Sequence, residues 1–382
     1  MTNGRLVRKD LAKVFGEDMH AKRVLSLANG VTGVIEAASL GIHAIGRGLA
    51  MAMGLDVKHA IKQVDRLLSN PGFDMEAIMG VWLRKNLAGL ERAVVALDWT
   101  EFDKDNQSTL ALHLVTKHGR SAALMWWTVE RQEGKMWRAE TERAALRKFA
   151  AALPEDVSVV LLADRGFGSQ DLYELLSELG IDFIIRFKSN IKVETLDGVT
   201  GTAGEFVYSN GRARRLSGAM VTTRKTPIPS LVLVKAARMK EPWCLASSLS
   251  YAKASEIVHL YGRRFTIEEA FRDTKDPHFG FGLSQTRLGK PERRDRMILL
   301  AALAHHLLTM LGAASEASGL DRHLRANTVK KRTYSLLNQG LFWYRALPTM
   351  REEWLRRLME AFGKFVQESE VLALSFGFEM RG

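Results

Sequence analysis

Three acidic residues in this chain stand where a carboxylate needs explaining. Asp98 lies near the end of a short, β-branched apolar run from Arg92 to Trp99 (RAVVALDW). Asp164 terminates a second run, Ser158 to Ala163 (SVVLLA), and Glu268 lies in the segment YGRRFTIEEAFRDTK that starts at Tyr261. An ionised carboxylate among apolar neighbours is costly unless something compensates it. Either aspartate alone also reads as a turn or capping residue at a strand end. Together the three offer hard oxygen ligands on rigid elements, which suits Mg²⁺, an ion that keeps several waters of its own. Two such ions roughly 3.5–4 Å apart serve in-line displacement at a phosphodiester, one activating the nucleophile and one stabilising the leaving oxygen.

The segment around Glu268 carries more than a carboxylate. Tyr261, Arg264, Glu268 and Lys275 fall at offsets of 0, 3, 7 and 14. On an ideal helix these sit at roughly 0°, 300°, 340° and 320°, a stripe about 60° wide along nearly four turns. One face then presents a phenol, a guanidinium, a carboxylate and an ammonium, which no apolar core face would do. The plainer alternative is a solvated face on which Arg264 and Glu268 form a surface ion pair at i,i+4. Glu269 competes for the third acidic position but lies about 100° round the helix, outside the stripe. Glu101, Asp103 and Asp105 crowd Asp98 but fall beyond the expected strand end, where they should solvate a loop.

The elements that would hold these residues follow from apolar periodicity. The first ninety residues show helical spacing, with breaks expected at Gly30, Gly54 and Asn70-Pro71-Gly72. Short helices of this kind suit a helix-turn-helix-like DNA-binding module or a plain bundle. Strand runs then follow at 92–99, 110–117 and 121–129, a helix at 137–153, the strand 158–163, a helix at 169–179 and a strand at 182–187. The order β-β-β-α-β-α-β, with one acid on the first strand and one just past the fourth, is that of a ribonuclease H-like fold. From Asn190 to Ser250 the chain is turn-rich and strand-like and reads as a β insertion; helices resume at 252–271 and 291–311. The fold class is therefore α/β: a helical region over 1–88, a ribonuclease H-like core over 89–189 and 252–315, a β-strand insertion over 190–251, and a helical C-terminal region over 316–382. Trp126 and Trp127 read as core and edge of a strand, and Met51 to Met53 as helix packing.

The spacing Tyr-(2)-Arg-(3)-Glu-(6)-Lys at Tyr261, Arg264, Glu268 and Lys275 resembles the signature of DDE transposases of the insertion-sequence-four type, relatives of the Tn-five transposase. The likeness extends to Leu97-Asp98-Trp99-Thr100, to Asp164-Arg165-Gly166-Phe167 and to Ile185, Arg186 and Lys188. It spans roughly residues 90 to 310, with weaker echoes at 63–68 and 332–336. The resemblance implies that Asp98, Asp164 and Glu268 are the catalytic metal ligands, holding two Mg²⁺ ions for which Mn²⁺ substitutes. Arg264 and Lys275 are suited to phosphates beside the cleavage site, the first as a bidentate fork and the second as a point charge. Tyr261 would donate its hydroxyl to a terminal phosphate. Arg186 and Lys188, alternating with Ile185 and Phe187, would turn both basic side chains to the DNA side of one strand. Trp243 resembles a tryptophan that stacks on a flipped-out base, against the alternative of a buried residue at the insertion's edge. Also implied are cut-and-paste transposition through cleavage at terminal inverted repeats and strand transfer into target DNA, a hairpin intermediate, and a homodimer on two DNA ends. The alternatives are another metal-dependent nuclease on the same fold and an inactive DNA-binding relative.

Bulk properties agree with a nucleic-acid partner. The 382 residues carry a formal charge of +12, which favours a polyanion. Hydrophobic residues at 46% and charged residues at 26% place the chain among globular proteins of two or three domains rather than disordered ones. The single cysteine, Cys244, rules out an intramolecular disulfide and a cysteine zinc site, and no His-x-x-x-His pair occurs. The opening MTNGRLVRKDLAKVF lacks the apolar core of a secretory signal. The apolar stretch Met297 to Gly312 falls short of the roughly 20 residues of a membrane span and reads as a buried helix. A cytoplasmic, nucleoid-associated bacterial protein with no membrane partner is expected.

Overall fold

The N-terminal residues build a helical layer: α1 (Asn3–Phe15), α2 (Ala21–Ala37), α3 (Ile42–Met53), α4 (Val57–Ser69) and α5 (Met75–Leu87). The computed structural model describes residues 3–134 and 136–367. Asp56 caps α4 by accepting from the His59 N–H, and Asp74 caps α5 by accepting from Glu76 and Ala77. Gly30, expected as a break, lies inside α2. A Cβ there would come within 2.7 Å of Leu67 and 2.9 Å of Leu300, so the position stays small to let α4 and a later helix press against α2. The break falls instead after Ala38, which closes α2 in the left-handed conformation at φ 45°. Met51, expected to pack, points into solvent at 84% exposure.

One sheet organises the rest. Its strands are β1 (Arg92–Phe102), β2 (Gln107–Val115), β3 (Ser121–Glu130), β4 (Ser158–Ala163) and β5 (Asp182–Phe187), with α6 (Met136–Ala152) and α7 (Gln170–Glu178) between. The chain continues through β6 (Lys192–Glu194), β7 (Thr200–Thr202), β8 (Arg214–Val221), β9 (Thr226–Val234) and β10 (Trp243–Ser247). The spatial order is β3-β2-β1-β4-β5-β10-β9-β8-β6-β7. β1, β4 and β5 run parallel, whereas β2, β3 and β10 join antiparallel. The strand-rich segment between Asn190 and Ser250 therefore extends the same sheet, β10 pairing with β5 and covering what would be an exposed edge.

Helices resume as α8 (Ala254–Gly262), α9 (Thr266–Lys275), α10 (Pro291–Ala317), α11 (Leu336–Ala346) and α12 (Glu352–Gln367). The end of the C-terminal region, 368–382, lies outside the described residues. Alternation along the strands divides the apolar side chains between two clusters. On one face Val94, Ala96, Val160, Leu162, Ile184 and Leu245 pack under Ile257, Leu260, Tyr261 and Ile267 of α8 and α9. The larger cluster joins the other face to the N-terminal helices and α10. α10 is long and apolar enough to cross a membrane, but 72% of its most apolar stretch is buried inside the protein. Its adjacent histidines point apart, His305 against Phe281 and His306 against Trp82.

Candidate active site

The parallel register places the first two acids. β1 and β4 pair Leu97 with Ala163, so Asp98 and Asp164, each one residue further, stand side by side. β4 and β5 pair Ala163 with Ile185, which brings Arg186 next in the same row. All three follow residues of the α8–α9 face, namely Ala96, Leu162 and Ile184, at a spacing of two, and so turn toward those helices. Asp98 accepts the Trp99 backbone N–H at 2.9 Å, and Asp164 accepts that of Gly166 at 2.7 Å.

The third acid arrives from above, though not on one straight helix. α8 ends at Gly262, a 3₁₀ turn spans Arg263–Phe265, and α9 starts at Thr266. The Thr266 hydroxyl donates to the Arg263 carbonyl at 2.9 Å, a back-bond of the kind that bends helices. The four-turn stripe is therefore interrupted, yet Arg264 and Glu268 from it still meet, together with Asp98 of β1. Arg264, only 6% exposed, reaches Asp98 Oδ2 through Nη1 at 3.1 Å and Glu268 Oε1 through Nη2 at 2.5 Å. The i,i+4 pair with Glu268 does form, with Glu268 half-exposed, but the Arg264 guanidinium is buried and shared with Asp98.

The electrostatics of the row follow from this burial. Desolvation pushes the Asp98 carboxyl up to about 6, with Arg264 pulling it back and the charges of Asp164 and Glu268 adding to the rise. Tyr261 is 1% exposed, and burial pushes its phenol up to about 12. The half-buried Trp243 ring meets Tyr261 edge-on at 4.9 Å and stacks toward Phe265 at 6.1 Å. Among the described residues, no three His, Cys, Asp or Glu side chains converge closely enough to hold a metal ion. What stands between Asp98 and Glu268 is the Arg264 guanidinium.

Lys275, Arg186 and Lys188, the other basic candidates, are placed differently from one another. Lys275 turns inward: its Nζ donates to Thr100 Oγ1 at 2.9 Å and to the Glu101 carbonyl at 2.7 Å, over the Phe102 ring, and burial lowers its pKa. It pins the end of α9 to β1. Arg186 pairs with Glu241 at 3.0 Å and donates to the Pro242 carbonyl. Lys188 is exposed, but lies past the end of β5 at Phe187, so strand alternation does not fix it on the Arg186 side.

Several side chains around the row escaped the sequence. Glu101 belongs to β1 and is gripped by Arg131 at 2.8 Å and Arg138 at 2.6 Å; Asp105 pairs with the fully buried Arg294. Neither solvates a loop: Glu101 lies within β1, and the cations come from Arg131 just past β3, from α6 and from α10. Arg120, beside the β2–β3 turn, holds Asp273 at 2.7 Å and Glu269 at 3.3 Å, which fastens α9 and gives Glu269 a partner. Glu142 of α6 accepts the Trp99 indole N–H at 2.8 Å; burial raises its pKa, and Asp164 adds to the rise. Nothing local in the sequence distinguishes Glu142 or Arg120 from other charged surface positions.

Residues 138–307 match the family model described as the transposase DDE domain. The match covers somewhat under half of the chain. It includes Asp164 and Glu268, and Asp98 lies before it. It supports a DDE transposase, an enzyme type that acts on DNA with divalent metal ions. No curated protein matches the chain.

Proposed function

We propose that this chain is a DNA transposase of the insertion-sequence-four type, with Asp98, Asp164 and Glu268 as its metal-binding acids. The observation that carries the reading is the meeting of the three acidic segments: parallel pairing sets Asp98 beside Asp164, and Arg264 ties Glu268 to Asp98. Support also comes from the sheet order β3-β2-β1-β4-β5, which is the order of a ribonuclease H-like core, with β6–β10 as the insertion of residues 190–251. Residues 1–88 then form a helical DNA-binding region and 316–382 a helical C-terminal region.

The acids suit a hard divalent cation. Their oxygens are of the right kind, and burial leaves the Asp98 carboxylate in need of a positive partner, which the Arg264 guanidinium supplies only in part. Two bound Mg²⁺ ions, or Mn²⁺ in their place, would activate water and then a DNA 3′-hydroxyl as nucleophiles. This chain's own residues bind and orient. Arg264 and Tyr261 lie against the acids, where a scissile phosphate would come. Arg186, held by Glu241 at the insertion, and the exposed Lys188 just past β5 supply further positive charge for the DNA, and Lys275 keeps α9 seated on β1. Trp243, stacked beside Phe265, is the aromatic surface for an unstacked base in a hairpin intermediate. Cleavage occurs at the terminal inverted repeats, strand transfer enters target DNA, and a homodimer holds two ends in the cytoplasm, at the nucleoid.

The test is metal-dependent cleavage and strand transfer on DNA carrying the element's own ends. Asp98→Ala, Asp164→Ala and Glu268→Ala should each abolish both reactions while end binding, measured in chelator, stays near normal. Wild-type cleavage by any of the three removes that residue from the site. Cleavage without strand transfer would make the protein a nuclease on the same scaffold.

A further inference from the structure

One side chain occupies the place where the two outer acids face each other. Arg264 spans Asp98 on β1 and Glu268 on α9 with both terminal nitrogens and is itself buried. Its Nη1 and Nη2 each hold a carboxylate, its Nε is buried without a hydrogen-bond partner, and the guanidinium lies beside the Tyr261 phenol and over the Phe265 ring at 4.9 Å. A guanidinium so placed neutralises charge that a divalent ion would otherwise neutralise, and it fills the space between the ligands. The same fork matches the geometry of a phosphate, which it can grip bidentately.

We infer that Arg264 is an exchangeable internal cation that couples metal loading to DNA engagement. Without DNA it bridges Asp98 and Glu268 and opposes divalent ion binding. When a DNA phosphate enters beside the acids, Arg264 transfers from carboxylates to phosphate and frees both ligands for the ions. Coupling of this kind is reciprocal, so metal tightens DNA by the factor with which DNA tightens metal. The device keeps the cleavage chemistry off until a strand is in place. It rests on the reading of Asp98, Asp164 and Glu268 as metal ligands.

The experiment is Mn²⁺ binding followed by electron paramagnetic resonance, with and without a short blunt-ended DNA duplex of mixed sequence. Binding of the duplex is confirmed in parallel by anisotropy, and ions held by the duplex alone are subtracted. The wild-type protein should bind Mn²⁺ weakly alone and roughly 5–150-fold more tightly with the duplex bound. Arg264→Gln should bind Mn²⁺ tightly without DNA and gain little from it. Arg264→Lys, which keeps the charge but cannot span two carboxylates, should fall between; it supplies the comparison if the glutamine variant does not fold. Equal wild-type affinity with and without bound duplex overturns the inference, as does an equal DNA-induced gain in wild type and variants. Asp164→Asn separates the two levels. If it leaves wild-type Mn²⁺ binding unchanged, the ions sit elsewhere and the metal-site reading fails with the inference. If it abolishes binding while DNA leaves the wild-type Mn²⁺ affinity unchanged, only the inference fails.

Discussion

Replacing Asp98 with asparagine should stabilise the metal-free protein while destroying its activity. The carboxyl is buried between β1 and α9, and its pKa is pushed from 3.8 to about 6 even with Arg264 beside it. A tenfold change in proton affinity corresponds to about 1.4 kcal/mol, so ionisation in the folded state costs about 3 kcal/mol relative to the neutral form. The side chain is 19% exposed, so solvent removes only part of this, and a gain of about 1–3 kcal/mol is expected above pH 6. Asparagine still offers an oxygen to the Trp99 N–H and to Arg264. The sign fixes the pH window. A carboxyl raised in the folded state contributes stability that is fully present below about pH 4 and lost as pH rises through about 6. Asparagine cannot lose it, so the advantage of the variant should open between pH 4 and 6 and then stay level. Thermal unfolding in chelator at pH 4, 5, 6 and 8 measures the difference directly. A variant less stable than wild type at pH 8, or offset by the same amount at every pH, would show that Asp98 carries no burial cost.

A second titration belongs to α10. Asp295 is half-buried, accepts the Thr128 backbone N–H at 3.0 Å and is pushed up to about 7 by desolvation. It should therefore weaken the fold by up to about 1.4 kcal/mol per pH unit between 4 and 7 as pH rises, and Asp295→Asn should flatten that slope in urea titrations. An unchanged slope would refute the assignment. Where α10 crosses α11, a Cβ on Gly340 would land on the Leu308 carbonyl oxygen. Gly340→Ala should then cost about 1–3 kcal/mol by differential scanning fluorimetry. Gly363→Ala in α12, where a Cβ meets nothing within 4 Å, should be neutral or stabilising. Equal behaviour of the two alanines would mean the helix crossing can open freely.

What this sequence determined by itself was local. Short, nearly continuous apolar runs rich in β-branched residues marked the strands at 158–163 and 182–187 to the residue, and the charged spacing from Tyr261 to Lys275 singled out the segment that meets the strand acids. These properties depend on neighbours two to four positions away, within reach of periodicity. Tertiary structure decided the rest. Gly30 and the 3₁₀ turn at Arg263–Phe265 show the limit from both sides. A glycine became a helix interior because Leu67 and Leu300 press on it, and a run with helical spacing broke although it holds no proline. Whether Arg264 would meet solvent, phosphate or carboxylate was equally hidden, since its partner Asp98 lies 166 residues earlier. So were the inward turn of Lys275 onto β1 and the grips of Arg120 and Glu142. Strand register and helix docking bring such groups together, and both are set by long-range packing. Residue types propose what chemistry a site can carry, whereas the fold decides which charges meet and how much water is left between them.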